Sequence, residues 1–203
     1  MKKLSNISES AWGEMRHRSS GKIIRKEDKW FEKLVMDFVK RHNLKETDYK
    51  INYSDLTVDI FRNISFNEDD IVKGKFPFKF GKFVGSMWMD GLDVVSLENS
   101  PEEITGDFVI YNNKLENFIG GPEIVGGNFA ANFNRPLKTL EGSPKIVKGN
   151  YCILYCKDVK DISGITPDIG NDLQVPPEQN QDPPFSDEDY KKYANIGGKI
   201  IRR

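Results

Sequence analysis

The sequence predicts an α+β repeat solenoid, built of short coils on a narrow parallel sheet, with an N-terminal amphipathic helix and flexible tails. The first ground is a phrase that repeats. Gly106-Asp107-Phe108-Val109-Ile110-Tyr111, running on to Gly120-Gly121-Pro122-Glu123-Ile124-Val125-Gly126, recurs from Gly127-Asn128-Phe129 to Glu141-Gly142-Ser143-Pro144-Lys145-Ile146-Val147. Gly149-Asn150-Tyr151 opens it a third time, and Gly85-Ser86-Met87 through Ile104 fits the same frame. The second ground is spacing: Pro101, Pro122, Pro144 and Pro167 fall 21, 22 and 23 residues apart, and Leu97, Phe118, Leu140 and Ile162 keep step with them. A fixed period of this size marks a solenoid, in which no coil can bury its apolar face without its neighbours. With 203 residues and 37% apolar content, the chain suffices for one elongated domain.

Residues 1–24 mix Trp12, Met15 and Ile23 with Ser, Gly and basic residues without a sustained period, and read as a flexible leader. Residues 25–61 read as a helix plus short strands. From about Lys26 to Arg41, Trp30, Phe31, Leu34, Val35, Phe38 and Val39 recur at helical steps, behind Glu27 and Asp28 at the dipole-favoured start. So wide an apolar face needs a cover, either the open end of the solenoid or another molecule. After Asn43 the period falls to two in Tyr49–Tyr53 and Leu56–Phe61, predicting an antiparallel entry into the sheet.

Residues 62–175 read as the solenoid, with Ile64, Phe66 and Ile71 in a degenerate first coil. By the period of two, Phe108 and Ile110, Phe129 and Ala131, and Tyr151 and Ile153 point inward from short strands. Leu115, Phe118, Leu137, Leu140, Val159 and Ile162 turn inward on the return side. Gly106, Gly127 and Gly149 are placed to allow a sharp corner. Residues 176–203 read as a Pro-rich linker and C-terminal tail: a short helix capped by Ser186, then Gly197-Gly198 and a basic tip suited to solvent or to docking.

Thirty basic and thirty-one acidic residues leave a net charge of -1, which gives no general attraction to nucleic acid or to a membrane surface. No run is long enough to span a bilayer, and the polar start is unlike a signal peptide. The chain is therefore not expected to be secreted through a signal peptide. Cys152 and Cys156 lie within one expected strand and turn, where an extended backbone would hold them too far apart for a disulfide. Neither His17 nor His42 has a nucleophile nearby in sequence, and the two cysteines lack a zinc-site spacing. Glu68-Asp69-Asp70 reads as a surface turn ahead of a cation site. No catalytic, cofactor or metal residue is predicted, and the expectation is a protein that is not an enzyme.

The strand side of the coils resembles the leucine-rich repeat, in which apolar residues surround an Asn or Cys at the ninth place. Phe108, Ile110, Asn113 and Leu115 fit directly; Asn134 and Cys156 take the ninth place in the next coils, each followed by an extra residue, and Leu92 breaks the series in the earliest full coil. The Pro-x-x-Val-x-Gly-Asn/Asp-Phe phrasing is similar to a divergent repeat class common in bacteriophage and bacterial proteins. Such repeats imply a binding scaffold. Glu9-Ser10-Ala11-Trp12-Gly13-Glu14-Met15-Arg16-His17-Arg18-Ser19-Ser20-Gly21, followed by Arg25-Lys26-Glu27-Asp28, resembles a leader on small proteins of tailed phages that infect gut bacteria, which implies a place in a virion or in the cytoplasm of an infected bacterial host. That resemblance implies docking or packaging through Trp12, Met15, Arg16 and Arg18, against the plainer reading of an unstructured tail.

Residues between the inward strand positions are expected to line an exposed sheet face: Trp88, Asp90, Val109, Tyr111, Ala130, Asn132, Cys152 and Leu154. Its apolar members suit a protein contact, against the plainer reading of scattered surface residues. The expected function is a non-catalytic repeat scaffold for protein–protein interaction, a phage structural or particle-associated component docked on capsid or tail proteins. The alternatives are an intracellular effector that binds a host protein through the sheet face, and a carbohydrate- or surface-binding module.

Overall fold

The computed structural model describes residues 28–181 and 184–203, together with the backbone of 15–16 and 23–24. Strands β1 (Met15–Arg16) and β2 (Ile23–Ile24) pair antiparallel. Helix α1 (Lys29–Arg41) follows, then the hairpin β3 (Tyr49–Asn52) and β4 (Thr57–Ile60). From β5 (Ile64–Ser65) onward the chain winds as a parallel β-solenoid of about five turns.

Each turn contributes two strands. One series is β6 (Lys79–Phe83), β8 (Glu103–Ile104), β10 (Ile124–Val125), β12 (Ile146–Val147), β14 (Asp168–Ile169) and β16 (Asn195–Ile196), which with β4 and β3 forms an eight-stranded sheet. The other is β7 (Met87–Asp90), β9 (Phe108–Tyr111), β11 (Phe129–Ala130), β13 (Tyr151–Cys152), β15 (Leu173–Val175) and β17 (Ile200–Arg202), which with β5 forms a seven-stranded sheet. The single narrow sheet expected from sequence thus has a companion. Its strands are only two residues long in most coils, and one residue of each (Ile104, Val125, Val147, Ile169) is buried against the core.

The three-residue corner between the two strands explains the glycines. At Gly127 an added Cβ would lie 2.8 Å from the Gly106 carbonyl carbon, and at Gly149 it would lie 2.7 Å from the Gly127 oxygen. Real Cβ atoms do not approach backbone so closely. Close coil-to-coil contact, more than a special φ, demands glycine there. The last residue of each corner, which follows a glycine at Ser86, Asp107, Asn128 and Asn150, ties the coils together. Asn63 Oδ1 accepts from Ser86 N (2.8 Å), Ser86 Oγ from Asp107 N (2.9 Å) and Asp107 Oδ1 from Asn128 N (2.7 Å). Asn128 Oδ1 accepts from Asn150 N (2.9 Å), Asn150 Oδ1 from Asp172 N (3.0 Å) and Asp172 Oδ1 from Lys199 N (2.8 Å). Each of these six N–H groups thereby has a partner in the coil before it.

A second, inner ladder runs under the seven-stranded sheet. Asn113 accepts from the N–H groups of Leu92 and Val94 and donates to the Met89 and Tyr111 carbonyls. Asn134 donates to Ile110 O (2.7 Å) and Cys156 Sγ to Ala131 O (3.2 Å).

The N-terminal end of the core is closed by aromatic rings. Helix α1 buries Phe31, Val35, Phe38 and Val39, and Phe38 meets Phe66, Phe78 and Phe80 at ring separations of 5.8, 5.4 and 6.0 Å. Asp70, fully buried in a 3₁₀ turn (Glu68–Asp70), locks the helix end: Arg41 Nε donates to it at 2.8 Å, and His42 Nε2 lies 2.8 Å from its other oxygen. The acidic triplet is thus a structural turn with its third member turned inward.

The C-terminal stretch departs from expectation. Helix α2 (Asp187–Tyr193) has the Ser186 cap, but the residues after it form β16 and β17 and complete another coil. Ala194-Asn195-Ile196-Gly197-Gly198-Lys199-Ile200 repeats the strand–corner–strand plan, with Tyr190 buried beside it.

Candidate functional site

The outward face of the seven-stranded sheet carries two adjacent rows. Ser65, Trp88, Val109, Ala130, Cys152, Gln174 and Ile201 lie in register across the strands. Asp90 pairs with Tyr111 beside them, and Asn132 and Leu154 continue that row, with Leu154 N donating to Asn132 Oδ1 at 2.7 Å. The six residues proposed from sequence, Trp88, Asp90, Val109, Tyr111, Asn132 and Leu154, therefore share one surface. They are not equally available. Trp88, Val109, Tyr111 and Leu154 are half-buried and Asp90 exposed, but Asn132, Ala130 and Cys152 are 9%, 4% and 8% exposed. Contrary to expectation, these three small residues form a stripe sunk below their larger neighbours. Burial holds the Tyr111 phenol above its ordinary pKa, with Cys152 and a hydrogen bond from Asn132 beside it.

Of the leader residues, Met15 and Arg16 form β1; Trp12 and Arg18 lie outside the described residues.

One feature of this surface escaped sequence reasoning. At the same place after each strand the backbone turns left-handed: Gly91 (φ 68), Asn112 (φ 49), Phe133 (φ 62) and Tyr155 (φ 63). Glycine and asparagine accept this conformation readily; bulky residues rarely do. Phe133 and Tyr155 are nonetheless 42% and 54% exposed, and their rings stack at 4.4 Å with an interplanar angle of 9°. Beside them lies an open cleft of about 740 Å³, rimmed by Arg135, Lys157, Arg203 and Asp158, with Pro176 and Pro177 opposite. Gln181, buried at its edge, donates to Tyr190 Oη at 3.1 Å and fixes the loop to α2. The only sequence signal was the recurrence of an aromatic 22 residues on, in the two coils that carry an extra residue before Leu137 and Val159.

A comparable cleft of about 650 Å³ lies over β4 and β6, but its polar floor is satisfied internally: Asn52 Nδ2 donates to Thr57 Oγ1 and Asp59 Oδ1, which also accepts from Lys82 N. Among the described residues no group of three or more His, Cys, Asp or Glu side chains is placed to hold a metal ion, and no helix is long and apolar enough to cross a membrane. Both cysteines are unpaired and buried, and burial pushes the Cys152 thiol up to about 11 and the Cys156 thiol up to about 12. Neither is a thiolate at neutral pH, so neither is primed as a nucleophile.

The fold is that of a parallel-sheet β-solenoid with two helices. Compared with protein-family models, curated proteins and solved structures, the chain has no match in any of the three.

Proposed function

We propose that the protein is a non-catalytic repeat scaffold that binds another protein through the outward face of its seven-stranded sheet. The observation that carries this reading is the grouping of Trp88, Val109, Tyr111 and Leu154 in two neighbouring rows on a rigid sheet. Half-buried aromatics around a sunken stripe of small residues offer ridges and a groove, the relief on which protein hot spots form. For the setting, a bacteriophage particle with capsid or tail proteins as partners, the support is the leader resemblance at residues 9–21 and 25–28 and the phage-type repeat phrasing.

Quantitative mass spectrometry of purified particles against soluble lysate tests the setting. Stoichiometric presence in particles is the expected result, and presence in the soluble fraction alone would replace the particle with a soluble target. In either fraction, Trp88→Ala with Tyr111→Ala is expected to weaken the complex by roughly 30-fold or more, in the manner of lost hot spots. Undiminished binding by the doubly substituted protein would remove the sheet face as the docking surface.

A further inference from the structure

We infer that the cleft beside Phe133 and Tyr155 is a binding site for an acidic saccharide, a sugar chain bearing carboxylate or sulfate groups. The site is distinct from the protein-binding face and does not depend on it.

The starting point is that both aromatics hold a backbone conformation which the equivalent Gly91 and Asn112 adopt without penalty. Stability does not call for large rings there, and strained residues of this kind gather at binding sites. One face of Tyr155 lies on Phe133. Its 54% exposure therefore belongs largely to the opposite face and the rim, which border the cleft. A flat apolar platform of this kind suits the C–H face of a pyranose.

Charge selects among ring-shaped ligands. Among the described residues Arg135, Lys157 and Arg203 outnumber Asp158, the one acidic side chain on the cleft. Anions are thus favoured, and guanidinium groups bind carboxylate and sulfate oxygens through paired hydrogen bonds. Gln179 and Asn180 add amide donors and acceptors for hydroxyl groups. Two other ligand classes fit less well. A peptide anchor wants a desolvated apolar pocket, and among the described residues Pro176 and Pro177 are the only aliphatic side chains on this open cleft. Single-stranded nucleic acid wants successive platforms along a basic track, whereas the two rings, 4.4 Å apart, close on each other and leave one free face, on a chain of net charge -1. The cleft is open to solvent, which leaves room for a sugar chain to extend beyond it.

Titration calorimetry on the full chain, with oligogalacturonate and chondroitin sulfate oligosaccharides as probes, tests the assignment. A malto-oligosaccharide of equal length, hexaglutamate and oligo-dT serve as comparators. The expected result is binding of at least one acidic saccharide, weakened by raised salt, with no binding of the neutral chain. Which of the two probes binds better identifies the anion. Tyr155→Asn, which keeps a residue suited to the left-handed turn, should weaken binding by roughly tenfold, as should Arg135→Gln with Lys157→Gln. Melting curves confirm that each variant is folded, and Trp88→Ala should bind the sugar as the parent does. The inference is overturned if neither acidic saccharide binds at about 5 mM, well above the range of weak specific sites. It is equally overturned if Tyr155→Asn binds unchanged, if Trp88→Ala abolishes binding, or if hexaglutamate or oligo-dT binds at least as tightly.

Discussion

Phe133 and Tyr155 hold left-handed backbone at φ 62 and 63 while exposing their rings, and the two effects oppose each other. The conformation costs each residue about 1 kcal/mol, and the ring stack returns about 1 kcal/mol for the pair. Replacing both with asparagine is therefore expected to leave stability unchanged or raise it by up to about 1 kcal/mol, read from denaturant midpoints at constant slope. A loss of about 2 kcal/mol or more would mean that the rings serve the fold and not a ligand. Asp70 lies at the opposite extreme, fully buried. Burial by itself would raise its pKa, but hydrogen bonds from His42, the Asn67 N–H and Arg41 outweigh it and hold the carboxyl below the ordinary value. Because the folded value is the lower one, this contribution to stability is complete above the unfolded pKa of about 4 and is lost as pH falls through the folded value. Asp70→Asn should cost roughly 2 kcal/mol at neutral pH, from the unpaired Arg41 and His42, and should flatten the acid limb of the stability curve below about pH 4. An unchanged acid limb would assign acid sensitivity to other carboxylates.

At the level of the elements, the coil is held by its corner more than by its strands. Several strands are two residues long, too short to fix register through the sheet alone, and the side chains after the corner glycines supply the missing specificity. Asn128 both donates to Asp107 Oδ1 and accepts from Asn150 N, so it links three successive coils. Asn128→Ala is expected to destabilise the protein by about 2 kcal/mol, through the stranded Asn150 N–H, with its neighbours' amides gaining the fastest hydrogen exchange. Uniform exchange across the solenoid would show that the corner ladder does not bind the coils locally. The exposed inter-coil ion pairs, such as Lys114 with Asp93 at 2.8 Å and Lys138 with Glu116 at 2.9 Å, add little beside this. These features also mark what could be read from the chain. Prolines and return-side apolar residues recur in register because each sits at a sterically demanding place, so the period and the inward positions were legible. The second sheet was not, because a strand with a single inward residue, such as Ile104 or Val125, shows no alternation. The final coil was hidden by the insertion holding α2 and by Lys199 and Ile200 standing where earlier coils have Asn or Asp and an aromatic or Leu. Phe133 and Tyr155 fell outside the strand alternation, in turns whose backbone hand no side-chain pattern reveals.

Across the whole molecule, stability is close to a sum of neighbour contacts, with the two ends needing protection. The N-terminal end has the Phe38, Phe66, Phe78 and Phe80 cluster under α1. At the other end the corner ladder stops at Lys199, whose side chain offers no acceptor to a further coil, and a lysine at a sheet edge also discourages strand pairing. Between these two ends runs the outward face of the seven-stranded sheet. Both the proposed docking rows and the cleft beside Phe133 and Tyr155 lie on that side, where rows of side chains repeat at the coil spacing. The most direct measurement of the central claim places a photo-cross-linking residue at Val109, in the middle of that face, and separately at Ile146, on the eight-stranded sheet, in the full chain expressed in its source. The account predicts one discrete protein adduct from Val109, lost with Trp88→Ala, and none from Ile146. Equal adducts from both positions, or an adduct from Ile146 alone, would contradict it.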